Sequence, residues 1–288
     1  MKEKLIPVKL IITVLFIFEL SYSENISAQS VWYGREKANL IALEINKPVT
    51  PSINAGRHTI PGLSPGSGSI FLSGRYSLKK NKNITFVSDI PLSHGYLDDT
   101  TNLNGSEWAF GNPYIGAEFD ITESPVYFQL GLRLPLAPYD QGLAEFAGSV
   151  SDLDRSEAFL AHVFPIYGAV NYETVSDNKI LFMARTGLDI WFNNDTLRIQ
   201  SNPSVRFDYA VQTGYLDKNL NVILSLVGRK DLSSNELVTE KINIIQYGLS
   251  IVVPYKKIRP ALSFRFPGNS ETDNVFNFVI GLNFGYVF

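Results

Sequence analysis

The sequence predicts an all-β fold, a single antiparallel up-and-down transmembrane β-barrel of about twelve strands preceded by a cleaved signal peptide. Three observations lead to this prediction. Beyond about residue 68 the hydrophobic pattern has a period of two residues, which is the period of a strand. Short and long connections alternate between the predicted strands. One face of those strands carries no charged residue.

The N-terminal residues have the layout of a secretory signal peptide. Lysines precede a short apolar run, which small and polar residues follow. The run is about half the roughly 20 residues that a membrane-spanning helix requires. Cleavage is expected after Ala28, with Ser23 and Ser30 as alternative sites, and a short anchor that stays attached is the other interpretation. The predicted domains are therefore a signal peptide over 1–28 and a barrel over 29–288.

Runs of alternating residues define the predicted strands in chain order. Such barrels have an even number of strands, so the eleven runs found beyond residue 68 require one more strand before it. The predicted strands are Asn39–Asn46, Ser69–Lys79, Ile84–Ser93, Asn112–Ile121, Val126–Ala137, Glu157–Thr174, Ile180–Phe192, Pro203–Leu216, Leu220–Arg229, Lys241–Val253, Ile258–Phe266 and Val275–Phe288.

The connections between these strands indicate the orientation of the barrel. Tight turns alternate with longer loops, as in outer-membrane barrels with short periplasmic turns and longer external loops. With twelve strands both termini fall at the end that carries the short turns, which is predicted to be periplasmic. Two connections, Lys47–Gly68 and Pro138–Ser156, are long enough to fold inward and narrow the lumen.

The two faces of the predicted strands differ in charge. Large apolar residues occupy one face, whereas charged residues lie on the other among Gly, Ser, Ala and Asn. A charge facing lipid would cost roughly 2–4 kcal/mol at the bilayer midplane, so the apolar face is predicted to meet lipid and the charged face to line the lumen. The predicted pore-lining residues are Arg75, Asp89, Glu118, Asp120, Arg133, Arg185, Asp189, Arg206, Asp208, Arg229, Arg259 and Arg265.

A soluble β-sandwich is the alternative, because it also has one apolar and one polar face. Strand length favours the membrane, since most runs reach the roughly 9–11 residues that cross a bilayer, against about 5–6 in an average strand. Aromatic residues also collect at strand ends, as they do at membrane interfaces. The predicted belts are Tyr76, Tyr172, Tyr215, Tyr286 and Phe288 at one end and Trp108, Phe110, Phe192, Phe266 and Phe276 at the other.

The last strand carries a family resemblance. It alternates large and small residues and ends in Phe288. In this it resembles the C-terminal signal of Gram-negative outer-membrane proteins, which the barrel-assembly machinery recognises. The resemblance implies an outer-membrane location, with membrane lipid and that machinery as partners. The stretch "FGNPYIGAEF" (Phe110–Phe119) resembles a segment of outer-membrane transporters related to the phenol-degradation meta-pathway family, and the region around Ala28 resembles signal peptides of the Bacteroidota.

The composition excludes several kinds of site. With 45% hydrophobic and 18% charged residues, long disorder is not expected. The formal net charge of −3 gives no basic surface for nucleic acid. Cysteine is absent, which excludes disulfides, thiolate metal ligands and a cysteine nucleophile. The acidic loop residues do not have the spacing of a calcium loop, so we expect neither a metal nor a cofactor.

The functional hypothesis is a channel for passive passage of small solutes through the charged lumen. In one alternative the lumenal charges pair and fill the barrel, which then serves a structural or adhesive role. In another, less favoured alternative the protein is a lipid-modifying enzyme using His94 at the outer rim. His94 lacks the serine two residues further on that such enzymes show, and Ser93 points to the other face. We therefore expect no catalytic residue and no enzymatic activity.

Overall fold

The fold is that of a closed antiparallel β-barrel, in a computed structural model that describes residues 31–33, 35, 38–51, 53–55, 58–60, 63–78, 83–97, 105–193, 203–233 and 243–288. The predicted signal peptide lies outside the described residues. The strands are β1 Leu40–Val49, β2 Ile53–Ala55, β3 His58–Ile60, β4 Gly68–Ser77, β5 Ile84–Leu97, β6 Gly105–Phe110, β7 Tyr114–Asp120, β8 Val126–Arg133, β9 Val163–Val175, β10 Ile180–Asn193, β11 Ser204–Leu216, β12 Asn221–Asp231, β13 Asn243–Val252, β14 Ile258–Pro267 and β15 Phe278–Val287.

Four short helical elements complete the described part of the chain. Two are α-helices, α1 Gly142–Ser151 and α2 Ser270–Asp273, and two are 3₁₀-helices, η1 Val31–Tyr33 and η2 Leu153–Ala158. No helix within the described ranges is long and apolar enough to cross a membrane.

Neighbouring strands pair in sequence order around the barrel, and β1 closes it by pairing with β15 on one side and β4 on the other. The long strand β5 pairs with β7 along its first half and with β6 along its second half. Strands β6 and β7 therefore occupy one position, and the described residues form twelve wall positions, as predicted. The hairpin of β2 and β3 stands apart from this sheet.

The break between β6 and β7 lies over a segment inside the barrel. At Gly111 a Cβ atom would lie 2.2 Å from the carbonyl oxygen of Ala158, so only glycine allows this approach. Beside it, the backbone N–H of Asn112 donates to the same carbonyl at 2.6 Å. The wall strand is interrupted here because the N–H of Asn112 bonds to the segment inside the barrel and not to a neighbouring strand.

Side chains alternate between the two faces of the wall as the sequence predicts. Apolar side chains such as Phe86, Leu130 and Leu224 lie outside and are 49%, 57% and 55% exposed, whereas the polar side chains of the same strands are mostly buried in the lumen. Exposed apolar surface on this scale is expected where lipid replaces water as the solvent. The core of the protein thus lies in the lumen.

Several sequence predictions are wrong in detail. No predicted strand includes β6, and the strand predicted over Val126–Ala137 ends at Arg133. Strand β9 begins at Val163, not at Glu157, because the six residues before it belong to η2 and the turn that leaves the lumen. Phe276 does not join the outer aromatic belt. It precedes β15, is fully buried, and packs inside the barrel against Val150, Leu153, Ile244 and Val279.

Candidate functional site: the barrel lumen

The connection between β8 and β9, residues 134–162, folds into the barrel and is called the inner loop here. Its helix α1 lies against β5 so closely that a Cβ atom at Gly95 would be 2.3 Å from the carbonyl oxygen of Leu143. At the end of α1, Ser151 Oγ donates to Ser69 Oγ on β4 at 2.6 Å. The small residues of "LAEFAGSVS" let the helix approach the wall, since Ala144, Ala147 and Gly148 are all buried.

Charged residues that follow α1 hold the inner loop to one side of the barrel. Arg155 pairs with Glu44 on β1 at 2.8 Å and with Asp152. Arg265 on β14 donates to Glu44 at 3.0 Å and lies 3.3 Å from Asp152 Oδ1. The Arg155 guanidinium stacks on Phe71, 3.7 Å from the ring centroid. Two arginines and two carboxylates thus neutralise one another in a buried cluster.

Glu157 of η2 holds the inner loop to the other side of the barrel. Its carboxylate accepts from Arg133 on β8 at 3.1 Å and from Arg229 on β12 at 2.8 Å. Each arginine has a second carboxylate partner: Asp89 lies 2.7 Å from Arg133, and Asp208 lies 2.6 Å from Arg229. Glu157 therefore bridges two distant strands across the lumen.

Asn112, in the break between β6 and β7, fixes both ends of the inner loop. Its side-chain amide donates to the carbonyl oxygens of Glu157 and Leu160 at 2.9 and 2.7 Å. Its side-chain oxygen accepts from the N–H groups of Leu136 and Ala137, both at 2.8 Å. These backbone groups belong to no strand, so the amide supplies partners that a sheet would otherwise provide.

The N-terminal segment, of which the structure describes residues 31–33, 35, 38 and 39, enters the lumen from the end that carries the short turns. Trp32 is fully buried, and its indole N–H donates to Asp154 of the inner loop at 2.9 Å. Its ring packs on Gly248 of β13, where a Cβ atom would lie 2.5 Å from it. The Tyr33 hydroxyl accepts from Ser263 on β14 at 3.1 Å. The two inward segments thus meet in the middle of the barrel.

Arg35 carries the N-terminal segment to the opposite wall. It pairs with Glu118 at 3.0 Å and with Asp120 at 2.7 Å, both on β7, and stacks over Tyr127 at 3.7 Å from the ring centroid. Arg75 joins the same cluster through Glu118 at 2.6 Å. The segment therefore crosses the lumen near the short turns.

The predicted pore-lining residues all lie in the described residues, and they fall into groups. Asp89, Arg133, Asp189, Asp208, Arg229 and Arg265 surround the inner loop, and Arg75, Glu118 and Asp120 surround Arg35. Arg259 lies near a short turn and donates to the carbonyl oxygens of Lys256 and Ile258. Neither Arg185 nor Arg206 has a carboxylate within 4.0 Å among the described residues: Arg185 donates to Asn171 at 2.8 Å, and Arg206 stacks on Trp191.

Sequence analysis did not identify the charged residues of the two inward segments. Arg35, Asp152, Asp154, Arg155 and Glu157 were not among the predicted pore-lining residues. One signal could have identified them. The connection Pro138–Ser156 was predicted to fold inward, and a loop inside a charged lumen needs charged residues of its own. Among the described residues no group of three His, Cys, Asp or Glu side chains could hold a metal ion.

A polar cavity of about 140 Å³ remains between the inner loop and the wall. Asp154, Arg155 and Glu157 of η2 line it on the side of the inner loop, and Glu118 lines it toward the short turns. Glycines on the inner face of the wall let tyrosine rings lie flat against it. The Tyr114 ring covers Gly116 and Gly131, and the Tyr209 ring covers Gly228. Charged and tyrosine side chains thus dominate the cavity wall.

The outer rim contains a serine–histidine pair that the sequence did not predict. His94 Nε2 lies 2.9 Å from Ser106 Oγ, and His94 Nδ1 lies 2.9 Å from the carbonyl oxygen of Gly66. Strand pairing between β5 and β6 brings the two residues together although they are far from adjacent in the chain. The His94 ring also stacks on Trp108, with ring centroids 4.4 Å apart.

Comparison with known proteins identifies the fold. No protein-family model matches the sequence, and no curated protein matches it significantly. The COG4313 outer membrane channel from Pseudomonas putida F1 matches with a TM-score of 0.63 at 12% identity, covering 94% of this chain and 100% of that one. The translocator domain of the autotransporter NalP from Neisseria meningitidis has a TM-score of 0.53 at 8% identity, covering 87% of this chain and 89% of that one. LpxR from Salmonella typhimurium has a TM-score of 0.50 at 9% identity, covering 86% of this chain and 100% of that one. The chain therefore has the fold of the Gram-negative outer-membrane β-barrel proteins.

Proposed function

We propose that this protein is an outer-membrane channel for the passive passage of small solutes, with the inner loop and the N-terminal segment as its internal barriers. The observation that carries the proposal is the polar cavity inside the closed barrel. The cavity is bounded on one side by the inner loop, which is not part of the wall and is held mainly by side-chain contacts, and the N-terminal segment contacts that loop through Trp32 and Asp154. The similarity to the COG4313 channel supports the fold on which the proposal depends.

The geometry suggests how passage works. Hydrogen bonds and ion pairs from Ser151, Arg155 and Glu157 fix the inner loop, and water can replace each of these polar contacts when the loop moves. Most of the wall does not need to change, because its strands pair with one another around the barrel, and the break at Asn112 is where the wall also bonds to the loop. A solute would then pass between the inner loop and the wall. The long loops face outward in this proposal, and both termini face the periplasm.

A disulfide tether tests the role of the inner loop. Ser69 and Ser151 are in side-chain contact, and the chain has no other cysteine, so S69C/S151C can form one defined bond between the inner loop and β4. In planar bilayers the oxidised double variant should conduct less than the same protein after reduction. The single variant S151C is the matched control and should not respond to reductant.

The experiment also separates the competing functions. If mass spectrometry confirms the tether and conductance is equal before and after reduction, the inner loop is not a barrier to passage. No conductance from inserted wild-type protein or from the reduced variant would favour a filled structural or adhesive barrel. That alternative has its own support, because most lumenal arginines already have carboxylate partners.

The proposal includes the absence of enzymatic activity. The Ser106–His94 pair is the arrangement that argues for a lipid-modifying enzyme, since a serine nucleophile needs a histidine base within hydrogen-bond reach. However, a backbone carbonyl holds the second ring nitrogen of His94, where a catalytic triad places a carboxylate. We assign the pair to the structure of the rim.

A further inference from the structure

The lumenal cavity has one guanidinium group without an acidic partner. Among its lining residues, Arg133 and Arg155 each pair with two carboxylates, and Arg229 pairs with three. Arg185 lines the same cavity, but no carboxylate of the described residues lies within 4.0 Å of it, and its hydrogen-bond partners are the neutral side chains of Asn171, at 2.8 Å, and Tyr127. Four arginines thus share the cavity wall, and three are neutralised.

Strand register explains why Arg185 has no acidic partner. On β10 it pairs with Ala210 of β11 and Asn171 of β9, so neutral residues flank it on both neighbouring strands. The acids Asp189 and Asp208 lie toward the long loops. Asp189 is four residues along β10, or about 13 Å at roughly 3.3 Å per residue. The nearer acids are engaged by other arginines, since Asp208 pairs with Arg229, and Glu118 pairs with Arg35 and Arg75.

The chemistry of arginine defines a suitable ligand. Guanidinium stays charged and presents a planar fork of donors that matches a carboxylate. A charge held away from bulk water is costly without a partner, so a ligand carboxylate would supply what the wall lacks. The cavity volume of about 140 Å³ is similar to that of a cavity known to hold a benzene-sized molecule. Tyr167 and Gln129 lie along the same wall and add aromatic and polar contacts.

We propose that Arg185 is the anchor of a binding site for a small organic carboxylate inside the barrel. The role of this site in transport rests on the proposed channel function, whereas binding itself does not. Gln129 adds selectivity, because its side-chain oxygen is buried without a hydrogen-bond partner and can accept from a donor group on the ligand. The site thus recognises the negative charge first and a neighbouring polar group second.

Binding to the full-length barrel in detergent tests the site without depending on conductance. The probe is benzoate, and its neutral isostere benzamide is the comparison, both followed by saturation-transfer NMR and calorimetric titration. Wild type should bind benzoate and not benzamide. R185Q should lose at least about tenfold in affinity, and R185K, which keeps the charge without the fork, should lose less.

R206Q is the matched control. It also removes an arginine that has no carboxylate partner, on the neighbouring strand β11, but Arg206 stacks on Trp191 and does not line the cavity. The affinity of R206Q for benzoate should stay within about twofold of wild type, because Arg206 lies opposite Asp189, about 13 Å along the wall from Arg185 at roughly 3.3 Å per residue, and does not line the cavity. Folding of each variant is checked by its heat-dependent mobility on gels.

The outcomes separate this site from the channel proposal. Three results would each overturn the carboxylate site: conductance without benzoate binding, equal binding of benzoate and benzamide, or unchanged affinity for benzoate in folded R185Q. A wild-type barrel that binds benzoate but does not conduct, and whose R185Q variant does not bind benzoate, would support the site and refute the channel function.

Discussion

Neutralising Glu157 should loosen the inner loop, because this carboxylate bridges Arg133 on β8 and Arg229 on β12, four positions apart in the wall. In E157Q the side-chain oxygen can still accept from one arginine, while the amide NH₂ faces the N–H groups of the other. One charge-assisted hydrogen bond is lost, worth about 1.5–3 kcal/mol, and a donor–donor contact adds to the cost. The cost stays below that of a fully unpaired charge, since Asp89 and Asp208 remain as partners.

The expected loss is therefore about 3 kcal/mol in the free energy that holds the inner loop, or about a hundredfold in its opening equilibrium at about 1.4 kcal/mol per factor of ten. Amide hydrogen exchange measures this directly, because exchange of α1 through local opening follows that equilibrium. In E157Q the amides of α1 should exchange about a hundredfold faster, while those of β10 to β12 keep their wild-type rates. In planar bilayers the open fraction should rise in parallel.

The matched control is D217N, which removes a carboxylate from the exposed pair of Asp217 with Lys179 at the short turns. The hydrogen bond between them lowers the pKa of Asp217 and raises that of Lys179, but both groups are in solvent and lie far from the inner loop. D217N should leave α1 exchange unchanged. If α1 exchanges in E157Q as slowly as in wild type, the ion-pair bridge does not hold the loop and this reasoning fails.

Three further predictions concern the same architecture. G248A places a methyl group 2.5 Å from the Trp32 ring, so the N-terminal segment should be displaced and should become more susceptible to added protease. The control G142A, whose new methyl group meets no atom within 4 Å, should behave as wild type. Equal proteolysis of the two variants would contradict the packing of Trp32 on Gly248. N112A removes the hydrogen-bond partner of four backbone groups, at a cost of about 1–3 kcal/mol for each group left buried. The Tm of the barrel in detergent should therefore fall by several degrees. An unchanged Tm would show that water replaces the amide. A fluorophosphonate probe should not label Ser106, and labelling that disappears in S106A would show that the rim pair is catalytic.

The wall of the barrel could be predicted from the sequence because lipid imposes a strict rule on it. A strand residue that faces lipid cannot carry a charge, so each strand from β4 to β15 except β6, which no predicted strand includes, shows its orientation through the parity of residues such as Arg133 and Arg265. The N-terminal strand β1 followed from the need for an even strand count. Its bounds, Leu40–Val49, agree with the stretch identified from its alternating residues.

The inside of the barrel follows no such rule. Polar residues that face a lumen look alike in sequence whether they meet water, a loop or one another. Asp152 and Asp154 resemble solvated loop acids, and only the fold shows that they lie beside Arg265 and Trp32. Phe276 was misassigned for a related reason, since strand parity no longer applies before β15 begins. The pairing of Ser106 with His94 required the register of β5 and β6, which the sequence does not reveal.

The seam between β1 and β15 has a consequence for how the barrel forms. It joins strands from opposite ends of the described chain, through ten register pairs from Leu40–Val287 to Val49–Phe278. Loop-closure entropy makes such a contact late, because almost every other strand can pair with a neighbour in sequence first. Until that moment two open edges must be protected from other chains. The residues just before β1 enter the lumen, so closing the seam also brings Trp32 and Arg35 to their partners inside. Sealing the wall and filling the interior are therefore one step of assembly, and a defect in the N-terminal segment should appear as a barrel that stays open along this seam.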